Sequence, residues 1–99
     1  LGTIEEGITY RHNFYIHCGM KWIESLNGTT WVSEDPIYRG SGRAPERLRE
    51  FFVDTDEVIS PVLRTRITLV AEDEIRLTLP DGSETSTYRP TDREWPGCA

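Results

Sequence analysis

Residues 21–33 read Lys-Trp-Ile-Glu-Ser-Leu-Asn-Gly-Thr-Thr-Trp-Val-Ser, and this stretch decides the fold class. Asn27-Gly28 stands between two β-prone runs, and both residue types tolerate the positive φ angles of a type I′ turn. The stretch therefore predicts a β-hairpin with a two-residue loop, in which Leu26 lies opposite Thr29.

Regular pairing from that turn fixes the rest of the hairpin register. It sets Glu24 opposite Trp31 and Ile23 opposite Val32. Trp22, Leu26 and Trp31 then share one face of the hairpin, whereas Ile23 and Val32 share the other face.

The rest of the chain predicts four more strands around this hairpin. Residues 11–18 place His12, Phe14, Ile16 and Cys18 on one face and Tyr15 on the other. Residues 63–71, 75–79 and 83–89 form a three-stranded meander, with Tyr88 as an inward anchor near its end. Residues 45–52 favour a short helix that Pro45 begins, and a strand over 51–53 is the alternative.

About six strands in so short a chain predict an all-β fold, or a β fold with one short helix. The two architectures that suit this number of antiparallel strands are a small sandwich and a partly open barrel. We expect a flexible arm over residues 1–9 and a single domain over residues 10–99.

The two cysteines, Cys18 and Cys98, lie 80 residues apart and bracket most of the chain. This placement predicts a disulfide that closes the domain by joining its C-terminus to the first strand. Such a crosslink would stabilise the fold by roughly 4–5 kcal/mol in the chain-entropy model. A persistent disulfide also indicates an oxidising, extracytoplasmic compartment.

Composition excludes several functional classes. The chain has 99 residues and a net charge of −6, so its surface repels nucleic acid and anionic membranes. Arg43, Arg47 and Arg49 form the densest basic stretch, but glutamates interleave with them. No run approaches the roughly 20 apolar residues of a transmembrane helix. The chain opens on Leu1 in an acidic stretch without a signal peptide, as either a processed form or a trimmed chain would.

The polar residues form no recognisable catalytic or metal-binding motif. No serine lies in a nucleophile-elbow sequence, and His12 and His17 are the only candidate bases. Residues 54–65 match the first two ligand positions of an EF-hand loop and miss its glycine and its final glutamate. We therefore expect no catalytic residue, no metal site, no cofactor and no enzymatic activity.

Aromatic residues supply the candidate binding surface. Trp22, Trp31 and Tyr15 could form an exposed platform that stacks on a glycan or anchors a protein partner. The competing interpretation is that Trp22 and Trp31 fill a thin core. Asn27-Gly28-Thr29 also matches the N-glycosylation pattern, which the turn explains equally well.

In the order of its sequence motifs, the chain resembles small exported proteins and lipoproteins of Actinobacteria that have no assigned activity. The resemblance rests on the early aromatic strand ending in Cys18, on residues 27–31, on Thr87-Tyr88-Arg89-Pro90 and on Pro96-Gly97-Cys98. It implies export, a terminal-to-terminal disulfide and a β fold. The function that we expect is a non-enzymatic, extracytoplasmic domain that binds or supports a protein partner at the cell envelope. The alternative is a module that binds a glycan or a small ligand.

Overall fold

A computed structural model describes residues 2–16, 19–39, 45–53 and 62–96. Within these ranges the chain forms six strands and one short 3-10 helix, Glu46–Phe51. The strands are β1 (Thr9–Tyr15), β2 (Trp22–Leu26), β3 (Thr29–Ser33), β4 (Val62–Ala71), β5 (Glu74–Thr78) and β6 (Thr85–Thr91).

All six strands belong to one antiparallel sheet with the order β1-β4-β5-β6-β3-β2. The sheet curls into a half-barrel, so the all-β fold and the partly open barrel are confirmed and the sandwich is wrong. The physical reason is that twist and coiling let a six-stranded sheet wrap its own apolar face, without a second sheet to cover it. Cys18 and Cys98 lie outside the described residues, so the disulfide stays a prediction.

The inner face of the sheet carries the core, and the predicted alternation places its residues correctly. His12, Phe14 and Ile16 are buried, while Tyr15 between them points outward. The inward residues of the meander and Tyr88 are buried as well. The largest fully buried side chains of the meander are Leu63, Ile75, Leu77, Leu79 and Tyr88.

The hairpin differs from its predicted register because β2 contains a bulge. Leu26 does lie opposite Thr29, but Ile23 pairs with Trp31, and Trp22 pairs with Val32. Two residues of β2, Glu24 and Ser25, therefore oppose a single residue of β3, and Ser25 takes a positive φ of 58°. The predicted pairs of Glu24 with Trp31 and of Ile23 with Val32 are wrong.

The bulge has a clear physical reason, since it turns both aliphatic residues of β2 inward. Ile23, Leu26 and Trp31 all lie in the core, whereas regular alternation would have placed Ile23 on the opposite face. The turn itself has the predicted form, with φ of 52° at Asn27 and 76° at Gly28.

The N-terminal segment lies against the hairpin and against the C-terminal part of β4. Ile4 is buried in the core, and the Asn27 side chain bonds to both backbone groups of Ile4. The Gly7 N–H donates to the carbonyl of Leu69 at 2.9 Å. These contacts anchor the segment in the structure; its flexibility in solution stays a prediction.

The 3-10 helix covers one end of the core. Leu48 is fully buried, and the Arg47 guanidinium pairs with the Glu84 carboxylate at 2.9 Å on the turn before β6. Pro45 precedes the helix in an extended conformation, one residue outside the predicted start. Beyond the helix, Phe52 forms an isolated β-bridge with Leu63. The alternative prediction of a strand over 51–53 is therefore limited to this one bridge.

Candidate functional site

The three aromatic residues of the predicted platform do not share a surface. Trp31 is 1% exposed, and its indole N–H donates to the Leu26 carbonyl at 2.8 Å inside the core. Trp22 is half-buried on the opposite face of the hairpin, where it pairs with Val32. Tyr15 is 51% exposed on β1, at the other edge of the sheet order from β2. Only Trp22 and Tyr15 therefore offer an accessible ring.

Trp22 has a charged neighbour that the sequence did not indicate. The Arg93 guanidinium lies 5.1 Å from the centre of the Trp22 ring, in a cation–π arrangement. A hollow of about 370 Å³ lies on the same part of the molecule and is lined by Val32, Arg89 and the carboxylates of Glu34 and Asp35.

His12, the one histidine among the described residues, faces the core. Its ring packs edge-on against Phe14 with centroids 5.3 Å apart. Burial lowers the pKa of the His12 imidazole, because a desolvated site disfavours the charged form. His17 lies outside the described residues.

The outer face of β1 and β4 carries a feature that composition did not reveal. Arg11 of β1 lies directly opposite Arg66 of β4, and Asn13 lies directly opposite Arg64. All four side chains are exposed. We call these four residues the arginine grid.

An open hollow of about 520 Å³ lies over the arginine grid. β1 bounds it on one side. On the other side stand Val53 and Pro80, and Val53 is held there by a 2.8 Å hydrogen bond from its N–H to the Val62 carbonyl. No acidic residue lines this hollow among the described parts of the chain.

Three arginines elsewhere on the molecule, Arg47, Arg76 and Arg89, lie near carboxylates. Arg89 contacts Glu74 at 3.1 Å, and Arg76 lies 3.9 Å from Glu74. Within the described ranges, Arg11 and Arg66 have no ion pair, and Arg64 donates only to the Val53 carbonyl at 3.4 Å. The grid therefore brings together three arginines that have no carboxylate partner among the described residues, on a chain whose net charge is −6.

Sequence reasoning missed the grid because its two halves are about 50 residues apart. The alternation of Arg64 and Arg66 with inward residues was visible, as was that of Arg11 and Asn13. The missing information was that β1 pairs with β4 in this register.

The described residues contain no group of three or more metal-binding side chains. No helix in the described ranges is long and apolar enough to span a membrane. Comparisons with protein-family models, with curated proteins and with solved structures find no match for this chain.

Proposed function

We propose that this protein is a non-enzymatic, extracytoplasmic domain that holds a protein partner at the cell envelope, through the arginine grid on the outer face of β1 and β4. The observation that carries the proposal is the direct opposition of Arg11 and Arg66 on an otherwise acidic chain. Like charges directly opposite each other destabilise a strand pair. A surface that costs stability in the free protein is typical of a binding site.

The surroundings of the grid suit a protein partner. Tyr15 and Val53 are 51% and 41% exposed. Both lie next to Val62, because Tyr15 pairs with Val62 across the strands and the Val53 N–H donates to the Val62 carbonyl. The charged grid can steer an oppositely charged partner toward the surface, and the exposed apolar side chains beside it can be buried when the partner binds. An aromatic residue such as Tyr15 is enriched at the energetic centres of interfaces.

The extracytoplasmic part of the proposal rests on Cys18 and Cys98. Disulfides persist in oxidising compartments and are rare in the cytosol. The proposed lack of enzymatic activity rests on the burial of His12, which leaves its imidazole facing Phe14 in the core and away from the grid.

Site-specific photo-crosslinking in the native cell envelope tests the proposed function. A photoreactive phenylalanine analogue replaces Tyr15 in one variant, Val53 in a second, and the exposed Glu50 of the 3-10 helix in a control. We expect the same protein adduct from Tyr15 and Val53, lost when Arg11→Gln is added, and no such adduct from Glu50. Equal adducts at all three positions, or none at Tyr15 and Val53, would contradict partner binding through this face.

The alternative function, binding of a glycan or small ligand, is favoured by one observation. Trp22 is only half-buried and lies beside Arg93, and its cross-strand partner Val32 lines a hollow of about 370 Å³. Tryptophan faces stack on sugar rings, and neighbouring charged groups supply hydrogen bonds. Titration with oligosaccharides should then change tryptophan fluorescence in the wild type and leave Trp22→Phe unchanged.

A further inference from the structure

We propose that the arginine grid recognises an extended acidic segment of the partner in which carboxylates occupy alternate positions, as in Asp-x-Asp. This inference rests on the proposed function and names the chemistry of the partner. It follows from the spacing, the charge and the border of the grid.

The spacing of the grid matches that of an extended chain. Arg64 and Arg66 are two residues apart on one strand, which separates their Cα atoms by roughly 6.6–6.8 Å. Arg11 lies opposite Arg66 across the ladder, where side-chain origins are about 5 Å apart. An extended peptide presents every second side chain on one face with the same period of two, so alternate carboxylates would meet successive rows of the grid.

The positive charge of the grid favours an anionic ligand. Guanidinium groups bind carboxylates through charge-assisted hydrogen bonds, often in a bidentate arrangement. Carboxylates bound between Arg11 and Arg66 would turn a repulsive cross-strand contact into two attractive ones.

The border of the grid favours a peptide over a small free anion. Asn13 lies in the same row as Arg64, and its amide offers both a donor and an acceptor, which is what a peptide group pairs with. Val53 and Tyr15 continue the surface beyond that row with exposed apolar area. A lone phosphate or sulfate would use the guanidinium groups and leave these side chains unused.

Fluorescence anisotropy with two labelled peptides tests the inference on the whole chain. One peptide alternates aspartate with threonine, and the other has the same composition with its aspartates contiguous. The variants are Arg11→Gln and Arg66→Gln, and the matched control is Arg89→Gln, an exposed arginine on the same face that pairs with Glu74.

We expect the alternating peptide to bind more tightly than the contiguous one. Each grid variant should weaken binding about five-fold, the equivalent of about 1 kcal/mol for one exposed charged contact, while the control should not. Raising NaCl from about 0.1 M to about 1 M, which shortens the Debye length from roughly 10 Å to 3 Å, should weaken it further.

Several results would overturn the inference. Equal affinity for the two peptides would show that the grid does not select alternate spacing. Equal loss in Arg89→Gln would show that charge acts without the grid. Tighter binding of free phosphate, or of a single-stranded oligonucleotide, would assign the grid to another ligand class.

The chain carries its own alternating carboxylates at Asp54 and Asp56, directly after Val53 in sequence. The variant Asp54→Asn/Asp56→Asn is therefore titrated beside the wild type. Binding in either protein supports the inference, and no binding in either overturns it. Crosslinks from Tyr15 and Val53 would persist in that last case if the proposed function holds, so the two failures are distinguishable.

Discussion

At the scale of single residues, Trp31 and Trp22 show how strand pairing gives the two tryptophans of one hairpin opposite roles. Trp31 is enclosed in the core and hydrogen-bonded to the Leu26 carbonyl, whereas Trp22 stays half-buried with Arg93 over its ring. The difference follows from the bulge, which places Ile23 opposite Trp31 and leaves Trp22 on the outer side. The fold needs the first ring, and ligands can reach only the second.

Replacing Trp31 by phenylalanine should therefore destabilise the fold by about 2–4 kcal/mol. The change removes buried volume and the indole donor to the Leu26 carbonyl. Urea denaturation followed by circular dichroism measures the loss. The matched control, Trp22→Phe, should cost about 1 kcal/mol or less, because it weakens only an exposed cation–π contact. Equal losses in the two variants would contradict these assignments.

His12 makes the free energy of unfolding depend on pH. Its pKa is lowered in the fold from 6.5 by burial, so the unfolded chain binds a proton more readily than the folded chain. Stability is unaffected above the unfolded value and is lost as the pH falls below it, until the folded imidazole is protonated as well. The difference in urea midpoint between wild type and His12→Gln should therefore change between about pH 7.5 and about pH 5. A constant difference would contradict this role of the imidazole.

At the scale of elements, the β1–β4 pair combines a favourable inner face with an unfavourable outer one. Phe14 and Leu63 are paired and buried on the inside, while Arg11 and Arg66 oppose each other outside. The buried pair contributes more than the exposed repulsion costs, because charges in water are strongly screened. The grid can therefore exist without disrupting the sheet.

Reversing one charge of the grid should stabilise the free protein. Arg11→Glu places a carboxylate opposite Arg66, which we expect to raise the free energy of unfolding by about 0.5 kcal/mol while abolishing binding of acidic peptides. The control with the opposite sign is Arg89→Glu, which breaks the contact with Glu74 and should lower stability by a similar amount. Denaturant titrations measure the free energy of unfolding of both variants. A loss of stability in Arg11→Glu would show that the like-charge contact is not a cost.

The hairpin turn also holds the N-terminal segment. Asn27 Oδ1 accepts from the Ile4 N–H at 2.7 Å, and Asn27 Nδ2 donates to the Ile4 carbonyl at 3.2 Å. A glycan attached to Nδ2 would break the hydrogen bond from Nδ2 to the Ile4 carbonyl. One side chain thus joins the turn to a segment 23 residues earlier in the chain.

Replacing Asn27 by glycine should release this segment and leave the turn intact, since glycine adopts positive φ freely. The two lost hydrogen bonds should cost about 1–2 kcal/mol. Hydrogen exchange should become faster at Ile4 and stay unchanged in β5. Fast exchange at Ile4 already in the wild type would instead support a flexible arm over residues 1–9.

At the scale of the whole molecule, the open half-barrel leaves β1 and β2 as the two edges of the sheet. Cys18 lies between these two strands in sequence, and Cys98 follows β6, the central partner of β3. A bond between them would tie the end of the chain to the connection between the two edge strands. Both cysteines lie outside the described residues, so the crosslink stays a prediction, which mass spectrometry tests.

The unreduced protein should weigh two hydrogen atoms less than the reduced protein, and reduction should lower the free energy of unfolding. The chain-entropy model gives about 4–5 kcal/mol for a loop of this length. Mass spectrometry and urea denaturation with and without reductant measure both. Two free thiols in protein purified from the cell envelope would overturn the disulfide.

The class of fold and the inner and outer faces of most strands could be predicted from the amino-acid sequence. Period-two alternation places Leu63, Ile75 and Tyr88 inside, and the positive φ preference of Asn27-Gly28 places the turn. These are local properties, because a side chain's face and a turn's geometry depend on a few neighbouring residues.

The order of the strands in the sheet and their register depend instead on tertiary packing. Local preference favoured regular pairing in the hairpin, and closure of the core instead required the bulge that turns Ile23 and Leu26 to one side. In the same way, pairing between β1 and β4 depends on how the whole sheet curls around its core. The arginine grid exists only through that pairing, because Arg11 and Arg66 are remote in sequence and meet when the sheet forms.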